Sequence, residues 1–158
     1  MIAVGIDPGL LKGTAWAIVD NEADTCEVGV FKPRKPGCSD TELLIDYAAQ
    51  LTDLLELGEH VIEVVGIETQ FGLVRDVRMV QGIVKVAAMR GALTGAAIAC
   101  GARVVAVNPK TAKLAILGHG SADKQQIVAM VRTMYPQLKR LSQDKADAVA
   151  IALAAQKR

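Results

Sequence analysis

Two short apolar runs, Ile2 to Ile6 and Val61 to Ile67, each stop on an acid, Asp7 and Glu68. Two further acids, Asp144 and Asp147, lie three apart near the C-terminus, a spacing that puts both on one face of a helix. Strand ends and a helix start can gather these four distant carboxylates into one cluster. Like charges a few ångströms apart repel strongly in a site of lowered dielectric, so such a cluster calls for a cation. Each acid motif alone is weak, but in this combination they lead to the expectation of a chain built around a divalent-metal site.

At 158 residues and 51% hydrophobic, the sequence suits one compact domain, residues 1–158, with a core of its own. Apolar runs alternate with longer helical patterns, which argues for an α/β fold. Residues 2–7 read as a buried strand and Gly9 to Gly13 as a tight turn. Lys12 to Asp20 and Cys26 to Phe31 complete an antiparallel meander. The following Lys32-Pro33-Arg34-Lys35-Pro36-Gly37 is a basic loop whose prolines cannot continue a ladder. Ser39 or Asp40 caps a helix to about Leu57, with Leu43, Leu44, Tyr47, Ala48, Leu51 and Leu54 or Leu55 inward. Its acids Glu42, Asp46, Asp53 and Glu56 make a solvated outer face.

Val61 to Glu68 is nearly all apolar and therefore a central strand. A long helical pattern runs from about Val77 to Cys100. Arg75, Arg78, Lys85 and Arg90 lie near its first half, and Ala87, Ala88, Gly91, Ala92, Gly95, Ala96 and Ala99 fill its second. The small residues suit close packing, either on the chain's own sheet or helix on helix in a homodimer. Arg103 to Val107 is a fifth strand, and Asn108-Pro109 opens a short helix with proline at its favoured first position. Gly118 to Ser121 is a loop leading to a helix from about Ala122 to Tyr135, stopped by Pro136. The last helix runs from Asp144 to Gln156.

The net charge of +1 conceals a division. Residues 1–80 hold 6 Lys or Arg against 14 Asp or Glu, net −8, whereas residues 81–158 hold 12 against 3, net +9. A chain divided in this way has one face suited to a polyanion and another that repels it. Cys26, Cys38 and Cys100 are odd in number and lack C-x-x-C spacing, so they read as free thiols in a reducing cytosol. No basic leader precedes the first strand, and the longest charge-free interval of the alanine-rich stretch, Gly91 to Ala102, is too short to span a bilayer. A cytoplasmic protein is expected.

Phosphodiester hydrolysis by two divalent metals needs carboxylates that hold both cations about 3.5–4 Å apart, one activating water and one stabilising the leaving oxygen. Mg²⁺ prefers oxygen ligands and keeps several waters, so four acids suffice. With these acids in this order, the sequence resembles RuvC-type Holliday-junction resolvases of the RNase H-like nuclease superfamily. The resemblance covers nearly the whole chain. It rests on G-I-D-P-G at 5–9, E-T-Q-F at 68–71, R-G-A-L at 90–93, G-H-G-S-A-D-K-Q-Q at 118–126 and D-K-A-D-A-V-A-I-A at 144–152. It implies a five-stranded mixed sheet flanked by helices, a homodimer, Mg²⁺ or Mn²⁺ catalysis, and symmetric nicking of two strands of a four-way DNA junction. It also implies action on the nucleoid beside branch-migration machinery.

Carried over by position, Asp7, Glu68, Asp144 and Asp147 match the family's metal-binding acids. Lys113 and Lys124 match basic residues near the scissile phosphate, and Phe71 matches an aromatic set against junction bases, where stacking is reasonable. Lys124 also follows Asp123, with which a surface ion pair of little consequence is the plain alternative. Lys85, Arg90, Lys110 and Arg132 complete the candidate phosphate contacts. Two departures stand out: Gly13-Thr14 replaces the family's usual threonine–glycine order, and the stretch from Phe71 to Arg90 is longer and more basic. The family's cleavage-sequence preference is therefore not carried over.

Three other readings compete. An actin- or sugar-kinase-type ATPase also starts with aspartate and glycine before an alternating strand, but it needs two lobes, and this chain has no internal repeat. A module that binds branched DNA without cutting it would not need all four acids. A broader fork or flap nuclease would carry the same site.

Overall fold

A computed structural model describes residues 1–10, 13–58, 61–69 and 77–158, the side chains of 77–79 excepted. Its elements in chain order are β1 (Ile2–Asp7), β2 (Thr14–Asp20), β3 (Thr25–Phe31), α1 (Asp40–Glu56), β4 (Val64–Glu68), α2 (Val77–Ala99), β5 (Arg103–Val107), α3 (Pro109–Leu117), α4 (Lys124–Met134) and α5 (Gln143–Gln156). The five strands form one mixed sheet in the order β3-β2-β1-β4-β5. β1, β2 and β3 pair antiparallel, while β4 joins β1 in parallel and β5 joins β4 in parallel. The expected mixed sheet flanked by helices is what forms.

Alternation along the strands divides the core. Ala3, Ala17, Val19, Val64, Val105 and Val107 face α3, α4 and α5. Val4, Ile6, Ile18, Val65 and Ile67 face α1 and α2, meeting Leu43, Tyr47 and Leu51 on one helix and Met89, Leu93 and Ala97 on the other. Gly5 and Gly66 are register partners in β1 and β4. A Cβ at Gly5 would collide with the backbone of Ala148 and Ala152, and one at Gly66 would press on Ala155 and Ile151. The paired glycines are the groove in which α5 lies. That helix is buried on almost every side from Ala146 to Ala155, so it carries no polar face.

The boundaries depart from expectation where a neighbour is missing. β4 starts at Val64 and not at Val61, which is 83% exposed. The ladder with β1 begins at Ala3 opposite Val64, so the residues before it run past the end of their partner. α4 starts at Lys124 and not at Ala122, because Asp123 takes the N-cap: its side chain accepts from the Gln126 N–H, and Gln126 returns the bond to the Asp123 N–H. The outer acids of α1 are not simply solvated. Asp46 and Asp53 both bind Arg34, and Glu42 closes a capping box with Ser39. Within α2, Val80–Ala99 is long and apolar enough by length and composition to cross a bilayer, with mean hydropathy 1.3 and Lys85 and Arg90 inside it. The charge-free interval alone understates how apolar this helix is, and little of it is buried in the chain.

Candidate metal centre and active site

Ile6 lies opposite Ile67 in the parallel pair, so the next residues, Asp7 and Glu68, end their strands side by side at one edge of the sheet. The two side chains are close enough for Glu68 to raise Asp7, and both line one cleft. On α5, capped by Ser142, Asp144 falls in the first turn and Asp147 one turn further. The helix lies against β1 at Gly5, where the backbone of Ala148 and Ala152 fills the space a side chain would take. That contact leaves the preceding turn, with both acids, over the strand end. Carboxylate oxygens of Asp7, Asp144 and Asp147 lie within 4.8 Å of one another, and Glu68 joins through Asp7. The four acids named from the sequence are brought together.

Crowding shows in the protonation equilibria. Asp7 is pushed up to about 8, first by burial, then by its hydrogen bond with Glu68 and by the charges of Glu68, Asp147 and Asp144. Asp147 is also raised, first by burial, although Lys124 opposes the shift with its charge and a hydrogen bond. Burial works to lower Lys124, but the charges of Asp147, Asp144 and Asp7 outweigh it and leave the ammonium more firmly protonated than usual. Lys124 Nζ lies 3.4 Å from Asp147 Oδ2. Asp123 spends its carboxylate on the helix cap, so the plain pairing of Lys124 with its chain neighbour gives way to one with the acid cluster. A hard, oxygen-seeking dication fits this donor set: close carboxylates with one nearby lysine leave an excess of negative charge.

The cluster opens into a cleft of about 920 Å³. Its walls include the four acids, the Pro8-Gly9-Leu10 turn, Arg90 with Gly82, Ile83, Val86 and Ala87 of α2, Lys113 of α3 and Lys124 of α4. Arg90 also borders a smaller hollow of about 290 Å³ with Thr69, Thr94 and Ile98. Three candidate cations lie outside the cleft wall. Lys85 pairs with Asp40 at 2.9 Å, Lys110 is exposed on α3, and Arg132 lies two turns beyond Lys124 in the last turn of α4. Phe71 lies outside the described residues, as do Lys12 and Arg75.

Sequence reasoning missed two supports of the site. Thr14 is fully buried, and its hydroxyl donates to the Gly9 carbonyl while accepting from the Gly9 N–H, which closes the turn after Asp7. Gly13 before it has φ of +94°, and a Cβ there would strike the Phe31 carbonyl, so the Gly13-Thr14 order suits this turn. The second support is the Gly5–Gly66 pair. Its sequence signal was a lone glycine in the middle of each apolar run, the usual mark of close backbone approach.

The family model for the crossover junction endodeoxyribonuclease RuvC matches residues 3–155. The chain is 29% identical over 157 residues to the crossover junction endodeoxyribonuclease RuvC of Saccharophagus degradans, covering 96% of this chain and 85% of that protein. It is 32% identical over 155 residues to the protein of the same name from Brucella suis, covering 95% and 84%. Its fold is similar to that of Thermus thermophilus RuvC in complex with Holliday junction substrate, with a TM-score of 0.75, 30% identity and coverage of 98% and 92%.

Proposed function

The chain belongs to the RuvC family of crossover junction endodeoxyribonucleases, and from that premise we propose that residues 1–158 form one nuclease unit resolving four-way DNA junctions by paired symmetric nicks. The observation that carries this is the convergence of Asp7, Asp144 and Asp147, with Glu68 beside Asp7, on the wall of one cleft. A relative of the same fold is described with a Holliday junction bound.

In this reading Asp7, Glu68, Asp144 and Asp147 hold Mg²⁺, for which Mn²⁺ substitutes. When bound, the metal supplies polarisation of the scissile phosphate and activation of the attacking water. Lys124 holds Asp147 in place and keeps a firmly protonated ammonium beside the phosphate. Lys113 and Arg90 line the same cleft and bind the phosphates on either side. Phe71 stacks on bases at the crossover, and Lys85, Lys110 and Arg132 hold the arms further out. Two such units act as a homodimer through α2, which leaves Val80, Ile83, Val84 and Ile98 exposed. Branch-migration machinery is the partner expected to deliver the junction, and the work takes place on the nucleoid in the cytoplasm.

The test is cleavage of a panel of four-way junction, fork, flap and linear duplex DNA with Mg²⁺ or Mn²⁺. Paired nicks in opposed strands of the junction, with little cutting of the others, are expected. Equal cutting of forks and flaps would move the assignment to a broader branched-DNA nuclease. Junction binding with no cutting in either metal would reduce it to a binding module.

A further inference from the structure

We propose that the basic loop between β3 and α1 is a second phosphate track, in which Lys32 and Lys35 hold the DNA backbone beside the cleft and Arg34 is the clasp that fixes the loop. This rests on the junction-nuclease reading and adds to it a contact surface in the acidic half of the chain.

The loop leaves the sheet at the rim that carries the acids. Phe31 is the register partner of Thr14, and Asp7 that of the adjacent Ala15, so Lys32 emerges two strands from Asp7 on the same edge. Two strand spacings are roughly 10 Å. At about 3.4 Å of rise per nucleotide of one strand, that gap spans about three nucleotides. A backbone seated over the acids and running along this edge of the sheet passes the loop.

The loop is also held. The Arg34 N–H donates to Asp46 Oδ2 at 2.7 Å, its guanidinium binds Asp53 Oδ2 at 2.6 Å and lies 3.4 Å from Asp46 Oδ1, and Gln50 Nε2 donates to the Lys32 carbonyl at 2.8 Å. Pro33 and Pro36 restrict φ further. A loop that merely joins two elements has no need of such anchoring. Its effect is to stop Arg34 from reaching out while leaving Lys32 and Lys35 exposed, without an ion pair among the described residues.

The same contacts reduce, without cancelling, the repulsion of DNA on this side. Of the five acids of α1, Asp46 and Asp53 share Arg34, Asp40 pairs with Lys85, Glu42 is drawn back onto Ser39, and Glu56 lies at the far end of the helix beside Cys100. At the near end of the loop Lys32 and Lys35 are exposed and, among the described residues, without an ion pair.

The experiment compares the wild type with Lys32→Gln plus Lys35→Gln, measuring four-way junction affinity from 50 to 200 mM salt and cutting at saturating junction. Each lost phosphate contact lowers the log K against log salt slope by about 0.9, so the double variant's affinity loss across that range should be roughly tenfold smaller than the wild type's. Cutting at saturating junction is read beside the slope to show that the double variant still folds and assembles its site. An unchanged slope in a variant whose parent binds and cuts junctions would overturn the track and leave the nuclease reading standing. A wild type that neither binds nor cuts junctions would overturn both. The clasp is tested by Asp46→Asn plus Asp53→Asn, which removes two negative charges. Weaker junction binding is expected because the loop is released, and tighter binding would refute the clasp.

Discussion

Asp7 sits among the other acids of the proposed metal site and is the most strongly perturbed of them, and its surroundings set two outcomes. Asp7→Asn keeps the shape of the site and removes one metal-binding oxygen charge. Junction cutting should vanish while junction binding stays within a few-fold, because a metal in such a site stabilises the transition state more than it holds DNA. Undiminished cutting would end the assignment of the four acids. The second outcome concerns pH. Asp7 is held up to about 8 in the folded chain, well above the ordinary carboxylate range of the unfolded one. Between those values the metal-free folded protein keeps a proton that the unfolded chain has lost. The stabilisation from that proton is complete below the unfolded value and is lost as pH rises toward 8. In chelator, melting temperature should therefore fall from pH 5 to 8, and the fall should flatten in Asp7→Asn. Added Mg²⁺ should offset it, since a ligand at 100 times its dissociation constant contributes roughly 2.7 kcal/mol. The acids were legible in the sequence because each ends an apolar run or opens a helix. The partner of Lys124 was not, because chain adjacency pointed to Asp123 and only the fold reveals that this carboxylate is consumed as a cap.

Among the elements, α5 is the one whose placement decides whether a site exists. It reaches the sheet through the absence of two side chains, and its ends are fixed: Ser142 caps it, and Gln156 donates to the carbonyls of Met1 and Val19 at 2.9 and 3.0 Å. Gly5→Ala sets a methyl against the backbone of Ala148, one residue after Asp147, and backbone in a buried helix has little room to yield. Overpacking of this kind costs about 1–3 kcal/mol. Gly66→Ala meets the Ala155 side chain at 2.8 Å and the Ile151 carbonyl at 3.0 Å, further along the helix and away from the acids. Denaturant unfolding should show both variants destabilised, Gly5→Ala more so, and cutting should fall further in Gly5→Ala because Asp144 and Asp147 are lifted off Asp7. Equal loss of cutting in both, at equal stability, would mean that α5 does not position the acids through this contact. The elements themselves were largely visible from periodicity. What periodicity could not supply was the start of β4, which depends on where β1 begins, and the burial of α5, whose alanines carry no amphipathic stripe.

For the whole molecule, the question is what covers α2. Met89, Leu93 and Ala97 pack on the chain's own core, whereas Val84 and Ile98 are 60% and 61% exposed on a helix already rich in small residues. From the sequence, those small residues suited either the chain's own sheet or a second helix. Gly91 and Gly95 have nothing within 4 Å of a built Cβ, so their own sheet is not what requires them to be small. A four-way junction has two-fold symmetry, and an isologous dimer presents two identical sites to its opposed strands. Lys85 and Arg90 lie near the middle of this apolar helix, where a lipid setting would penalise both, so a second copy is a better candidate cover than a bilayer. Gly95→Leu is therefore expected to leave circular dichroism unchanged while sedimentation shifts from dimer to monomer at micromolar concentration. Junction nicks should then become uncoupled, one strand at a time. A wild type that sediments as a monomer while cutting both strands together would refute the dimer. Unfolding of Gly95→Leu would instead mean that α2 packs within its own chain more tightly than the open space at Gly95 allows.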